Sequence, residues 1–188
     1  TSDNKLHALA ADTGNPFWTV PFVADGPIWS TPAADIDSIE PKIYIGSLDH
    51  SVYALLLSTG ELFWEFQTEA GVTASPLVSD NKVYIGSFDR NFYALDAKTG
   101  LEEWRFSAEN WFWSGAISDG ERIYAGSLDG RIYALDANSG AKWWDYLTEG
   151  PIVSTPAFVP GHGVVVASLD KSIYLLDSDS GAEVWSRN

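Results

Sequence analysis

Apolar and polar positions alternate over most of this chain in short runs. Val83-Tyr-Ile85 and Phe92-Tyr-Ala-Leu95 are rich in β-branched and aromatic residues, and a hairpin segment, Gly86-Ser-Phe-Asp89, lies between them. That pattern predicts half-buried strands joined by tight turns, and no stretch carries a helical period. The organising element is Ala94-Leu-Asp-Ala-Lys-Thr-Gly-Leu-Glu-Glu-Trp104, which reads as strand, turn and strand. Asp96 and Thr99 can bond their own backbone and Gly100 tolerates positive φ, so the turn falls there. The same form recurs at Ala8–Trp18, Ala54–Trp64, Ala134–Trp144 and Leu175–Trp185. Successive tryptophans are 46, 40, 40 and 41 residues apart. A fixed period near 40 with four short strands per unit predicts a propeller-type array.

Cutting the chain on that period gives a half unit at 1–22 and complete units at 26–67, 71–107, 111–147 and 151–187. The half unit supplies only the second pair of strands, with Phe17–Phe22 as its last. In the first complete unit, strands are expected at Ile28–Ile36 and Ile43–Leu48, and a longer loop at 37–42 accounts for most of the 46-residue spacing. Inner hairpins recur at Gly46–Asp49, Gly86–Asp89, Gly126–Asp129 and Ala167–Asp170. Each Asp, with the residue after it, fits a two-residue turn. No linker separates the units, so they should pack as one body. The expected fold is all-β, a propeller segment of about four and a half blades with each blade's strands in chain order from axis to rim.

A tryptophan recurring at one period is a packing device, because a repeat unit cannot bury its own face without a neighbour. The small Ala opening each motif leaves room for a flat ring. Ala94-x-Asp96-x-x-Thr99-Gly100-x-x-x-Trp104 resembles the tryptophan-docking motif of quinoprotein (PQQ-type) β-propellers, and the resemblance covers essentially the whole chain. It implies that Trp18, Trp64, Trp104, Trp144 and Trp185 dock between blades, with Gly14, Gly60, Gly100, Gly140 and Gly181 in the docking turns. Ala10 and Leu56 replace the motif's Asp and Leu175 replaces its Ala, so those joints are expected to be looser. The family includes PQQ-dependent dehydrogenases, which carry PQQ and calcium, and also non-catalytic, BamB-like propellers.

Charge and composition narrow the function. A formal net charge of −15 argues against nucleic acid or anionic lipid as partner, since both need Lys and Arg to neutralise phosphate. No run of about 18 apolar residues predicts a membrane span. There is no cysteine, which removes disulfides, thiolate metal sites and the adjacent cysteine pair of many quinoprotein dehydrogenases. His7, His50 and His162 fall at different phases, so a histidine metal cluster is not expected. The repeated Asp49, Asp89, Asp129 and Asp170 read as turn residues spread round a rim, not as converging calcium ligands. Ser-Thr-Pro at 30–32 and 154–156 marks strand entry.

One feature breaks the repeat. At one phase stand Trp29, Thr73, Trp113 and Val153, and the third unit adds Trp111 and Phe112. Placed on innermost strands, Trp29, Trp111, Phe112 and Trp113 would give an aromatic channel mouth able to take a flat ligand or a peptide. Asp35, Asp37 and Glu109 would give it a negative rim favouring neutral or cationic partners. The leading expectation is a non-catalytic binding or assembly scaffold with no catalytic residue, no metal and no cofactor, whose partner is a protein or a small neutral or cationic ligand. The alternatives are a fragment of a PQQ-dependent alcohol or sugar dehydrogenase, with PQQ and calcium, and a structural segment of a larger surface or sensor protein. The resemblance implies an extracytoplasmic setting. An array of this form leaves a blade face open at each end. The expectation is therefore either further blades in a ring of about seven or eight, or self-association.

Overall fold

A computed structural model describes residues 3–188. They form an all-β propeller segment with no helix, in one two-stranded and four four-stranded antiparallel sheets. The half blade pairs β1 (Lys5–Leu6) with β2 (Phe22–Val23). Blade one is β3 (Ala33–Asp35), β4 (Lys42–Gly46), β5 (Ser51–Leu56) and β6 (Leu62–Gln67). Blade two is β7 (Leu77–Ser79), β8 (Lys82–Gly86), β9 (Asn91–Asp96) and β10 (Glu102–Ser107). Blade three is β11 (Ile117–Ser118), β12 (Arg122–Gly126), β13 (Arg131–Asp136) and β14 (Lys142–Leu147). Blade four is β15 (Ala157–Val159), β16 (Gly163–Ala167), β17 (Ile173–Leu176) and β18 (Glu183–Arg187). Within each complete blade the strands lie in chain order, and neighbouring blades approach through their first strands, β3 to β7 and β11 to β15.

The core is a series of layers between blades. Because side chains alternate across a strand, β8 sends Val83 and Ile85 to the layer shared with blade one and Tyr84 to the layer shared with blade three. Both faces of these middle strands are therefore buried, as their near-continuous apolar runs require.

Each joint closes with the same device. The Nε1–H of Trp18, Trp64, Trp104 and Trp144 donates to the carbonyls of Leu57, Ala97, Ala137 and Ser178 on the next blade, at 2.8, 3.0, 3.2 and 2.9 Å. The ring lies against that blade's turn glycine: a Cβ added at Gly60, Gly100, Gly140 or Gly181 would come within 2.5–2.7 Å of it. The hydroxyls of Tyr44 and Tyr84 donate to the Ala97 and Ala137 carbonyls at 3.1 and 3.0 Å, so these two carbonyls each accept from a phenol as well as an indole. The joints of Trp18 and Trp64 are no longer than that of Trp104. The Asp missing from their motifs is not in the joint: Asp96 braces its own turn, accepting from the Thr99 hydroxyl at 2.6 Å and the Thr99 amide at 2.7 Å.

Three local expectations are revised. First strands are short and begin directly after Pro32, Pro76 and Pro156; the residues before each proline form the segment crossing between blades. The first three inner hairpins are four-residue loops with the last residue at positive φ (His50 76°, Arg90 74°, Gly130 85°), and Lys171 holds the same position at 78° in a fourth loop one residue longer; none is a two-residue turn. In the half blade, residues 17–20 bend away and only Phe22–Val23 pairs with β1. The cause is an insertion: Pro27 follows Trp18 by nine residues, whereas Gly71, Trp111 and Pro151 follow their tryptophans by seven.

Candidate functional site

The segment 111–116 crosses from blade two to blade three in extended form, anchored at both sides. Phe112 N–H donates to the Ser87 carbonyl at 3.2 Å, and Leu128 N–H donates to the Trp111 carbonyl at 2.9 Å. In an extended segment alternate side chains point opposite ways. Phe112 therefore turns inward and is 0% exposed, packed against Gly86, while Trp111 and Trp113 turn outward at 42% and 38% exposure. Phe112 thus leaves the candidate surface and joins the core. It occupies the buried phase of Ile28, Val72 and Ile152.

Between the two outward indoles the sequence reading missed a partner. Phe88, on the β8–β9 hairpin, stacks on Trp111 with centroids 4.7 Å apart and on Trp113 at 5.2 Å, at interplanar angles of 23° and 24°. The signal was present: Phe88 is aromatic where the other hairpins carry Leu48, Leu128 and Leu169. Offset stacking of this kind adds about 0.5–1.5 kcal/mol per pair beyond area burial and fixes ring orientation. The three rings form one held aromatic surface.

Trp29 does not join it. It is 59% exposed on the segment entering blade one, and blade two's crossing segment lies between it and Trp113. That intervening segment is tied to both neighbours: Thr73 Oγ1–H donates to the Trp113 carbonyl at 3.3 Å, and Ser75 Oγ accepts from Thr31 N–H at 3.0 Å. Asp35 and Asp37 are also displaced from the expected rim. Asp35 pairs with Lys42 at the end of β3 opposite Ser30 and Gly46, so both acids sit at the other end of the blade from the aromatics. Glu109 stays close, two residues before Trp111 and exposed, its N–H donating to Asp129 Oδ2 at 3.1 Å.

The repeated hairpin carboxylates are spent on structure. Asp89 accepts from Asn91 N–H at 2.8 Å, Glu69 N–H at 3.0 Å and the Tyr93 hydroxyl at 2.6 Å, and Asp49, Asp129 and Asp170 make the equivalent tyrosine bonds to Tyr53, Tyr133 and Tyr174. Burial, reinforced by the bond to Asp89, holds the Tyr93 hydroxyl well above the ordinary phenol range, so it remains a donor. Calcium needs six or more converging oxygens. Among the described residues no group of three or more His, Cys, Asp or Glu is placed to hold a metal ion. Ser30 Oγ is bonded to both the N–H and C=O of Gly46, at 2.8 and 2.9 Å, which is a strand-entry clamp and no nucleophile.

A family model described as "Outer membrane protein assembly factor BamB" (PQQ_2) matches residues 2–111 and 104–188. The chain belongs to this family of PQQ-like repeat propellers. A search of curated proteins returned no match. Among solved structures, BamB from Moraxella catarrhalis superposes with a TM-score of 0.69 at 19% identity, over 93% of this chain and 65% of that one. The computationally designed Ika8 protein superposes with a TM-score of 0.82 at 18% identity, over all of this chain and 57% of that one. The chain thus spans less than two thirds of either. At these identities the likeness shows the propeller fold. Among the described residues no helix is long and apolar enough to cross a membrane.

Proposed function

We propose that this propeller is a non-catalytic scaffold that binds a protein segment at the aromatic surface formed by Trp111, Phe88 and Trp113. The observation that carries the reading is the stacking of Phe88 on two indoles that stay exposed although the docking indoles Trp18, Trp64, Trp104 and Trp144 are buried in joints. Exposed, held aromatic rings supply contact area at little entropic cost, which is why such residues dominate binding hot spots. Glu109 beside them favours a neutral or cationic segment, an Arg or Lys above the ring faces being the natural anchor. The family's description as an outer-membrane protein assembly factor supports a protein partner and an extracytoplasmic location.

The reading assigns no cofactor and no reaction to the chain. Added PQQ with calcium should leave the quinone absorbance unshifted and give no dye reduction with an alcohol; a shift together with reduction would favour the dehydrogenase reading. The binding claim is tested by selecting peptides from a random display library. Selected peptides should carry aromatic, Arg or Lys anchors and lose at least about tenfold in affinity, about 1.4 kcal/mol, against Trp111→Ala and Trp113→Ala. They should keep it against Trp143→Ala, an exposed indole on β14. Peptides indifferent to Trp111 and Trp113 would overturn the reading.

A further inference from the structure

Blade one carries an element that its repeat does not need. Its first two strands are joined through residues 36–41, whereas 80–81, 119–121 and 160–162 suffice in blades two, three and four. The longer loop stands against blade two's docking turn and walls a cavity of about 460 Å³, a size that takes a small molecule. Ile39, Ala97 and the ring of Tyr44 give the cavity apolar walls, and Asp35, Ser38 and Lys42 give it polar ones.

These polar groups are not matched to one another. Lys42 is 5% exposed, and a buried ammonium must have its donors satisfied. Its Nζ carries three N–H groups, of which one reaches the Glu40 carbonyl at 2.9 Å. The Glu40 carboxylate is 3.8 Å away, beyond hydrogen-bond length, and the Phe63 ring centre lies at 4.4 Å. Cations at the same phase are paired more closely: Lys82 stands 3.4 Å from Glu103, and Arg122 is 3.1 Å from Asp119. Asp35 is the partner of Lys42 across β3 and β4, which sets their Cβ atoms about 4.5–5.5 Å apart, yet Lys42 turns to Glu40 and no ion pair joins it to Asp35. Ser38 Oγ is buried beside them and has no hydrogen-bond partner among the described residues.

We propose that this cavity binds a free α-amino acid with an apolar side chain. Such a ligand carries an ammonium and a carboxylate on one carbon, which matches an unpaired carboxylate and an under-bonded ammonium held side by side. Its ammonium donates to Asp35, and its carboxylate accepts from Lys42 Nζ–H and the Ser38 hydroxyl, so the three unmatched groups are satisfied together. Its side chain covers Ile39, which is fully exposed on the loop. A carboxylate alone would set a second anion beside Asp35, and an amine alone would set a second cation beside Lys42, and like charges at this range repel. The site is separate from the aromatic surface, which lies at the other end of the blades.

Titration of the isotope-labelled chain with L-leucine, followed by amide NMR, tests this; it runs to about 20 mM, since ligands of this size bind in the micromolar to millimolar range. Leucine should shift the Ile39 and Ala97 amides and saturate. Isocaproate, which is leucine without its amine, and isoamylamine, which is leucine without its carboxyl, should each bind at least about tenfold more weakly. Asp35→Asn and Lys42→Met should each weaken leucine about tenfold or more. Asp35 is part-exposed, so Asp35→Asn keeps the fold and the test stands even where Lys42→Met does not fold. Trp113→Ala should leave leucine binding unchanged, which separates this site from the aromatic surface. No saturable shift with leucine, valine or phenylalanine, equal binding of isocaproate or isoamylamine, or leucine binding undiminished by Asp35→Asn would each overturn the proposal.

Discussion

Gly140 is held against the indole of Trp104: a Cβ at Gly140 would lie 2.5 Å from the ring, and the indole N–H reaches the Ala137 carbonyl at 3.2 Å. One turn of blade three is thereby both the floor under the ring and its hydrogen-bond acceptor. The glycine is required twice over, by the close approach and by its φ of 70°.

Gly140→Ala should therefore cost more than the same change at Gly14, where the φ is equal but no ring is present. Left-handed strain alone costs about 1–2 kcal/mol, and overpacking against the indole adds about 1–3 kcal/mol. Urea melts of the two variants give the difference directly. Equal losses would mean that the ring does not press on the turn.

Trp104→Ala empties a joint and leaves the Ala137 carbonyl with the Tyr84 hydroxyl as its remaining donor. We expect a loss of about 3–5 kcal/mol, the range for removing a buried aromatic side chain. Trp185→Ala should cost far less, because its ring is part-exposed. A loss below about 1 kcal/mol for Trp104→Ala would refute its docking role.

The docking turns also set an acid response. The Ser139 hydroxyl, then the Ser139 and Asn138 amides, hold the Asp136 carboxyl below its usual range, and Thr99 and Ser180 do the same for Asp96 and Asp177. A carboxylate lowered on folding contributes stability that is present above its unfolded value, about 3.9, and is lost as pH falls. The melting temperature should fall between about pH 5 and pH 3, and Asp136→Asn should start lower and fall less steeply over that window. A parallel profile for Asp136→Asn would mean the turn carboxylate is not the group responding.

Much of the fold was legible because the repeat prints its contacts in sequence. The Ala-to-Trp spacing fixed the blades, and the glycines of the motif marked the docking turns. What stayed hidden depends on which way a side chain turns or where a loop lies along the blade. Phe112 sits between two outward indoles and reads like them, until alternation on an extended crossing segment turns it inward. Asp35 and Asp37 follow Trp29 closely in sequence, but the intervening strand carries them to the far end of the blade. The two-residue insertion after Trp18 was countable from the tryptophan-to-crossing distance. The pairing of Phe88 with Trp111 and Trp113 joins residues about 23–25 apart across a blade boundary, which no local pattern carries.

The division of labour among the tryptophans is the centre of this account, and one paired measurement tests it: thermal melts and peptide affinity of Trp113→Ala beside Trp104→Ala. Trp113→Ala should keep its melting temperature within about 4 °C, a change of about 1 kcal/mol in a chain of this size, and lose about tenfold or more in affinity. Trp104→Ala should lower the melting temperature by about 10 °C. If Trp113→Ala melts as early as Trp104→Ala, Trp113 is core and the aromatic binding surface does not exist.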